Sequence, residues 1–290
     1  MVAEAPTYSR TMTLDALPDC PPGLLAALRE REPVVERLSD HRPRFHVRLR
    51  TAEGPLFAWY SHHPDDNDAL SHELAVRGAI GTHGVLRSPP VLAHGDNWRL
   101  ERMVTPEPLA GHSTIGLVVE AWRHLAQLDL PRRRPTGRAA SRPAMLRRRG
   151  RLLLSPLPTS DVLRAKRLGQ RSTLPTVTSH GDFHLAHVLP HDQAVWVIDW
   201  ELSGRAPFGS DLMQLWASLP DAEDRGILLD AALGLITPAE RGELHRLRYV
   251  ALVRRISSKL TELQRFGSRD PEDARVLLEL LPEARAAAAT

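Results

Sequence analysis

Two aspartates stand seventeen positions apart in this 290-residue chain, each next to an apolar run of β type. Asp182 lies in Ser179-His180-Gly181-Asp182-Phe183-His184-Leu185-Ala186-His187-Val188-Leu189. Asp199 closes the run in Ala194-Val195-Trp196-Val197-Ile198-Asp199-Trp200-Glu201. Two carboxylates at neighbouring strand ends suit one kind of chemistry, in which one accepts a hydroxyl proton while the other holds Mg²⁺ on a nucleotide. Each aspartate alone also reads as a turn residue, and Gly181-Asp182 is turn chemistry. His180, His184, His187 and His191 raise the question of zinc. They fall on a loop and a strand end rather than on one helix face, which argues against it.

These residues need elements to hold them. Residues 1–20 read as a flexible tail punctuated by Pro6 and Pro18. Pro22 to Arg31 reads as a short helix. Five strand-like runs follow: Pro33–Leu38, Arg44–Thr51, Pro55–Ser61, Pro89–Ala93 and Trp98–Val104. Between the third and fourth, Asp68–Ile80 has helical spacing, with Leu70, Leu74, Ala75 and Ile80 apolar. Beyond Pro106 the pattern turns helical over Ser113–Leu128 and Ser160–Gln170. The two aspartate segments then form a small hairpin. Asp211–Ser218, Ala222–Ile236, Pro238–Phe266 and Asp270–Ala288 are helical again, with Thr237 and Glu240 as a capping box. The order implies an α+β, bilobal, protein-kinase-like fold. Its β-rich N-lobe spans 1–105, with a five-stranded sheet and one helix. Its mainly helical C-lobe spans 106–290 and carries the catalytic β-hairpin, with the catalytic loop at 179–202.

The two segments resemble the His-Gly-Asp-x-x-x-x-Asn and Ile-Asp-Trp/Phe-Glu motifs of the aminoglycoside phosphotransferase and choline kinase family. Gly209-Ser210-Asp211-Leu212 resembles the Gly-Asp-Pro-x-x-Asp-Leu stretch of the same family. Three elements recurring in order weigh against the turn reading. The resemblance implies that Asp182 is the catalytic base and that His180 and Gly181 shape its loop. It implies that Asp199 binds the metal on the nucleotide and that Asp211 braces the loop. It also implies ATP or GTP as donor, Mg²⁺ or Mn²⁺ as the ion, and a hydroxyl as acceptor.

Two departures stand out. His187 replaces the family's asparagine. It can ligate a metal through one nitrogen, hold a phosphate as a cation, or have lost the role. Imidazole is a softer ligand than Mg²⁺ prefers and suits Mn²⁺ or Zn²⁺ better. The second departure is a missing lysine. The family places one on its third strand, paired with a glutamate on the next helix. Glu73 is a candidate for the glutamate, although a solvated helix charge is the plainer alternative. Trp59 stands near the lysine position. Arg48, or Arg50, on the neighbouring strand is the candidate replacement, with a different reach. A lost preorganised charge of this kind implies slow turnover, about 10²–10³-fold down. The resemblance places Glu101-Arg102-Met103-Val104 at the inter-lobe hinge, where its backbone, Glu101 included, would meet the adenine and Met103 would form an apolar wall; an ordinary strand end is the alternative.

Lys166 and Lys259 are the only lysines, so the basic residues are almost all arginine. Nine arginines crowd Arg132–Arg151 without an aromatic residue. That argues against single-stranded nucleic acid and for a solvated loop or an anionic partner. Such a rim would repel polycationic aminoglycosides. The acceptor is therefore expected to be a small metabolite or a Ser/Thr of a precursor peptide, with a lyase as partner in the peptide case. The rival is a pseudokinase-like binding module with little turnover. No apolar stretch is long enough for a membrane span, the single cysteine, Cys20, excludes an internal disulfide, and a cytoplasmic protein is expected.

Overall fold

The computed structural model of the protein describes residues 7–8, 13–41, 43–131, 157–266 and 271–289. The arginine cluster at 132–151 lies outside them. Strands β1 (Thr7–Tyr8), β2 (Val34–His41), β3 (Arg44–Thr51), β4 (Gly54–Ser61), β6 (Val91–Gly95) and β7 (Trp98–Arg102) form one antiparallel sheet in the order β1-β2-β3-β4-β7-β6. The sheet therefore has six strands, not five. Thr7 and Tyr8, in the segment expected to be a flexible tail, pair with Ser39 and Leu38 on the edge of β2. Both helices read in this half of the chain are present, α1 (Pro22–Arg29) and α2 (Pro64–Ile80), the second starting four residues before Asp68, so the N-lobe holds two helices rather than one.

Side-chain alternation divides the sheet into two faces. Val35, Phe45, Val47, Leu49, Leu56, Ala58, Tyr60 and Leu100 point one way, into a core closed by Leu24 and Leu28 of α1. Trp59, Arg99 and Glu101 point the other way, towards α2.

The second core belongs to the helices. These are α3 (Gly111–Gln127), α4 (Thr159–Gln170), α5 (Ser210–Trp216), α6 (Ala222–Leu233), α7 (Arg241–Phe266), α8 (Pro271–Glu279) and α9 (Leu281–Ala287). The expected single helix over 270–288 breaks between Glu279 and Leu281, where Pro282 removes an amide donor. Thr237 and Glu240 form the expected capping box ahead of α7, the Glu240 carboxylate accepting from Thr237 N–H at 2.9 Å. Two short sheets lie on this core. Strands β9 (Val188–His191) and β10 (Ala194–Val197) form the antiparallel hairpin, joined in parallel by β5 (Leu86–Arg87). Strand β8 (Thr176–Ser179) pairs with β11 (Gly204–Pro207). Phe183 and Trp200, each following a motif aspartate, are fully buried. Burying a large apolar side chain contributes about 1.5–3 kcal/mol, so each aspartate is tethered by its neighbour. Among the described residues no helix is long and apolar enough to cross a membrane.

Candidate active site

The loop carrying Asp182 begins where β8 ends, and Asp211 organises it from the first turn of α5. Its Oδ1 accepts from Ser179 Oγ at 2.7 Å and from Gly181 N–H at 3.3 Å. Its Oδ2 accepts from His180 N–H at 2.9 Å. Burial pushes the Asp211 carboxyl up, against these donors. Gly181 has φ +84°, and a Cβ there would collide with the Leu202 carbonyl oxygen. Only glycine fits both the left-handed backbone and the close approach.

Backbone contacts fix the state of all three histidines around Asp182. His180 Nδ1 accepts from Asp182 N–H at 3.2 Å, so its Nε2–H donates to the Ile198 carbonyl at 2.9 Å. Burial lowers its pKa to about 4, so the ring is neutral at pH 7. His184 Nδ1 accepts from Ala186 N–H at 3.2 Å. Its Nε2 therefore carries the proton and faces Asp182 Oδ2, 3.6 Å away. His187 has the opposite tautomer. Its Nδ1–H donates to the Asp182 carbonyl at 3.0 Å, which turns Nε2 towards Asp199 Oδ2 at 3.5 Å; in the neutral ring that nitrogen carries the lone pair. Burial works to raise the Asp182 carboxyl, but the His184 contact and the nearby imidazoles outweigh it and hold it below its usual range.

Asp199 itself has φ 63° and ψ 62°, a left-handed conformation that aspartate tolerates better than most residues. It follows β10 and opens the short 3₁₀ turn Trp200–Leu202. Asp182, His184 and His187 place one potential ligand atom each within 4.8 Å of one another. The tautomers separate their roles. His184 turns a proton towards Asp182, whereas His187 Nε2 and Asp199 present two lone pairs within reach of one ion. Their donor set fits a divalent metal. His191 stands apart at the end of β9, 3.7 Å from Glu107, outside this cluster.

Facing the hairpin, α2 presents Glu73, which is buried rather than solvated. Its Oε2 accepts from Arg99 Nη1 at 2.7 Å, and its Oε1 lies 3.7 Å from Arg77 Nη1. Glu101 completes a buried set of two arginines and two carboxylates. It accepts from Arg99 Nε at 3.2 Å and from Arg77. Burial opposes ionisation of Glu101, but Arg77 and Arg99 outweigh it and hold the carboxyl low. Glu101 thus contributes its side chain to this network, in addition to any backbone role at the hinge. Met103 N–H donates to the Pro55 carbonyl at 3.0 Å. Arg48 lies on β3 opposite Phe57 and is exposed, and Arg50 pairs with Glu36. The structure pairs neither with Glu73.

Several of these contacts leave no trace in the sequence. Arg99 and Arg77 give no signal beyond their charge, because the pairing of β4 with β7 decides where they point. His72 Nε2 meets Ser203 Oγ at 2.9 Å and ties α2 to the turn after Asp199. Arg44 bonds Asp66 at 2.7 Å and Glu201 of the second motif at 3.3 Å. Each joins the sheet half of the molecule to the segment that follows Asp199.

Residues 27–250 match the family model described as the phosphotransferase enzyme family. No curated protein sequence matches the chain. Solved structures resemble it over most of its length. A choline/ethanolamine kinase family protein from Mesorhizobium loti is 19% identical, covers 96% of this chain and 92% of its own, and has a TM-score of 0.57. A macrolide 2′-phosphotransferase from Brachybacterium faecium is 16% identical, with 92% and 96% covered and a TM-score of 0.55. A thermostable mutant of aminoglycoside phosphotransferase APH(4)-Ia, in a ternary complex with ADP and hygromycin B, is 13% identical, with 91% and 98% covered and a TM-score of 0.61. At these identities the likeness is one of fold. The family match takes in the sheet from β2 onwards, the hairpin with both motif aspartates, and Asp211; the chain belongs to the phosphotransferase enzyme family, with the kinase-like fold of aminoglycoside phosphotransferases and choline kinases.

Proposed function

We propose that this protein transfers the γ-phosphoryl group of ATP to a hydroxyl of a small metabolite. The observation that carries the reading is the pair of carboxylates on either side of one imidazole. Asp182 Oδ2 lies 3.7 Å from His187 Nδ1, and Asp199 Oδ2 lies 3.5 Å from His187 Nε2. A base and a metal-binding carboxylate are thereby held on one scaffold, as in-line phosphoryl transfer requires.

Asp182 orients the acceptor hydroxyl and takes its proton late in the transfer. Its depressed pKa keeps it ionised at neutral pH. His184 steadies the carboxylate through its Nε2–H. Asp199 and His187 would hold the divalent ion, which when bound neutralises charge on the nucleotide phosphates. An imidazole nitrogen in that set favours Mn²⁺ over Mg²⁺. ADP in the complex of the hygromycin-binding relative supports an adenine nucleotide as donor. The peptide acceptor and partner lyase draw no support from the described residues, because the arginine cluster behind them lies outside. The binding-module reading loses its strongest ground, since Glu73 does have a buried arginine partner.

Thermal shift with ATP and Mn²⁺ or Mg²⁺ tests the reading. The wild type is expected to be stabilised and Asp199→Asn much less so. Equal shifts in both proteins would reject the metal–nucleotide site. Phosphate transfer to a panel of small alcohols, lost in Asp182→Asn, identifies the acceptor class.

A further inference from the structure

The family resemblance puts its lysine near Trp59 on β4, and the ladder sets Trp59 directly opposite Arg99 on β7. Opposed residues in an antiparallel pair have Cα atoms about 4.5–5.5 Å apart. A cation rooted on β7 at this rung therefore starts close to where the lysine would start. The Arg99 guanidinium lies over the Trp59 ring, 5.5 Å from its centroid. Nη1 is spent on Glu73 and Nε on Glu101. Among the described residues Nη2 makes no hydrogen bond. Glu73, the partner of Arg99, lies on α2, which His72 ties to Ser203 in the turn that follows Asp199, so the arginine's partner and the carboxylate sit on neighbouring elements.

We propose that Arg99 is the phosphate-contacting cation of the nucleotide site, replacing from β7 the lysine that Trp59 displaces on β4. The assignment rests on the phosphotransferase reading. A guanidinium suits this position because its fork serves two carboxylates and still has a donor for a phosphate oxygen. It also accounts for Glu101. Two buried arginines, Arg77 and Arg99, need two buried carboxylates, and Glu73 supplies only one. A buried charge without its counter-charge is strongly destabilising. The relocated cation and the extra glutamate thus form one substitution set.

Calorimetric titration with ADP and with adenosine, both in the presence of Mn²⁺, separates phosphate contact from general damage. Arg99→Gln is expected to bind ADP about 10- to 100-fold more weakly and adenosine as the wild type does. Because that change strands Glu73, the balanced variant Glu73→Gln/Arg99→Gln is measured beside it and should give the same split. Adding Trp59→Lys to Arg99→Gln returns the cation to β4 and should recover ADP affinity. Unchanged ADP binding, or equal losses for ADP and adenosine in the balanced variant, would overturn the assignment and leave the phosphotransferase reading standing. A wild-type protein that binds neither ligand would overturn both.

Discussion

His187 donates its Nδ1–H to the backbone carbonyl of Asp182, and this single bond decides which nitrogen faces Asp199. The residue that stands where the resembled motif has asparagine is thus oriented by the residue proposed as the base. A carbonyl behind a ligating imidazole fixes its tautomer and raises its basicity. The phosphate-clamp alternative for His187 needs Nε2 protonated, opposite a carboxylate, and so competes with the metal for the same lone pair.

Replacing His187 by asparagine should change ion preference more than catalysis. The ratio of Mn²⁺ to Mg²⁺ affinity is expected to fall about 10- to 100-fold, read from metal titrations of the nucleotide complex. A ratio that stays at the wild-type value would show that His187 is not a ligand.

His184 holds Asp182 ionised, so its removal has a definite sign. His184→Gln removes the hydrogen bond and charge that oppose burial most, so the Asp182 carboxyl rises from its lowered value. A base must be deprotonated to act, so activity is lost as pH falls through its pKa. The acid limb of the kcat/KM profile should therefore move to higher pH, with the plateau little changed. A limb that stays in place would remove His184 from this role.

Gly181→Ala meets both a left-handed φ and the Leu202 carbonyl. Strain of this kind costs about 1–3 kcal/mol, and the loop must shift to relieve it. A displaced base costs about 10²-fold in rate. Turnover should collapse while nucleotide affinity, which depends on Asp199 and the far side of the cleft, is retained.

Asp211→Ala leaves Ser179 Oγ and the amides of His180 and Gly181 without their acceptor. A loss of about 2–5 kcal/mol in urea unfolding is expected. Asp211→Asn, which keeps one accepting oxygen, should recover part of it.

Away from the site, Asp161 clamps α4 to the C-terminal helices. It accepts from Tyr249 Oη at 2.7 Å and from Arg285 Nε at 2.9 Å. The Arg285 hydrogen bond is the main cause of its lowered pKa. A depressed carboxylate adds stability that is fully present above its unfolded pKa, about 3.9, and is lost as pH falls through the folded value. Asp161→Asn should cost about 1.5–3 kcal/mol at neutral pH and flatten the fall in stability below about pH 4. An acid transition identical to wild type would deny Asp161 that part.

The motif aspartates stood out as a pair at two strand ends, and the roles of Gly181 and Asp211 came from the resemblance of their motifs to a known family. Strand existence was legible through alternation. What sequence spacing does not contain is which strand lies beside which. Spacing alone points to β3 for the partner of Glu73, whereas the ladder puts β7 next to β4 and Arg99 opposite Trp59. Likewise, four histidines in twelve positions look alike in a sequence. Only the backbone amides and carbonyls around them distinguish a ligand from a proton donor. The edge strand Thr7–Tyr8 has too few residues to show any period.

Leu86 and Arg87 pair in parallel with Val195 and Trp196 on the strand that leads into Asp199. Val195 N–H donates to the Val85 carbonyl at 2.7 Å, and Arg87 covers the Trp196 ring. The polypeptide thus passes between the sheet and the helices three times: down from α2 to β5, back up to β6, and down again after β7. A single hinge would let the sheet swing freely. Three passes, one of them sewn into the hairpin that leads to Asp199, make a seam. In the proposed nucleotide site, a tilt of the sheet about that seam would pull on the segment that carries Asp199, so nucleotide entry and metal geometry would be geared to one another.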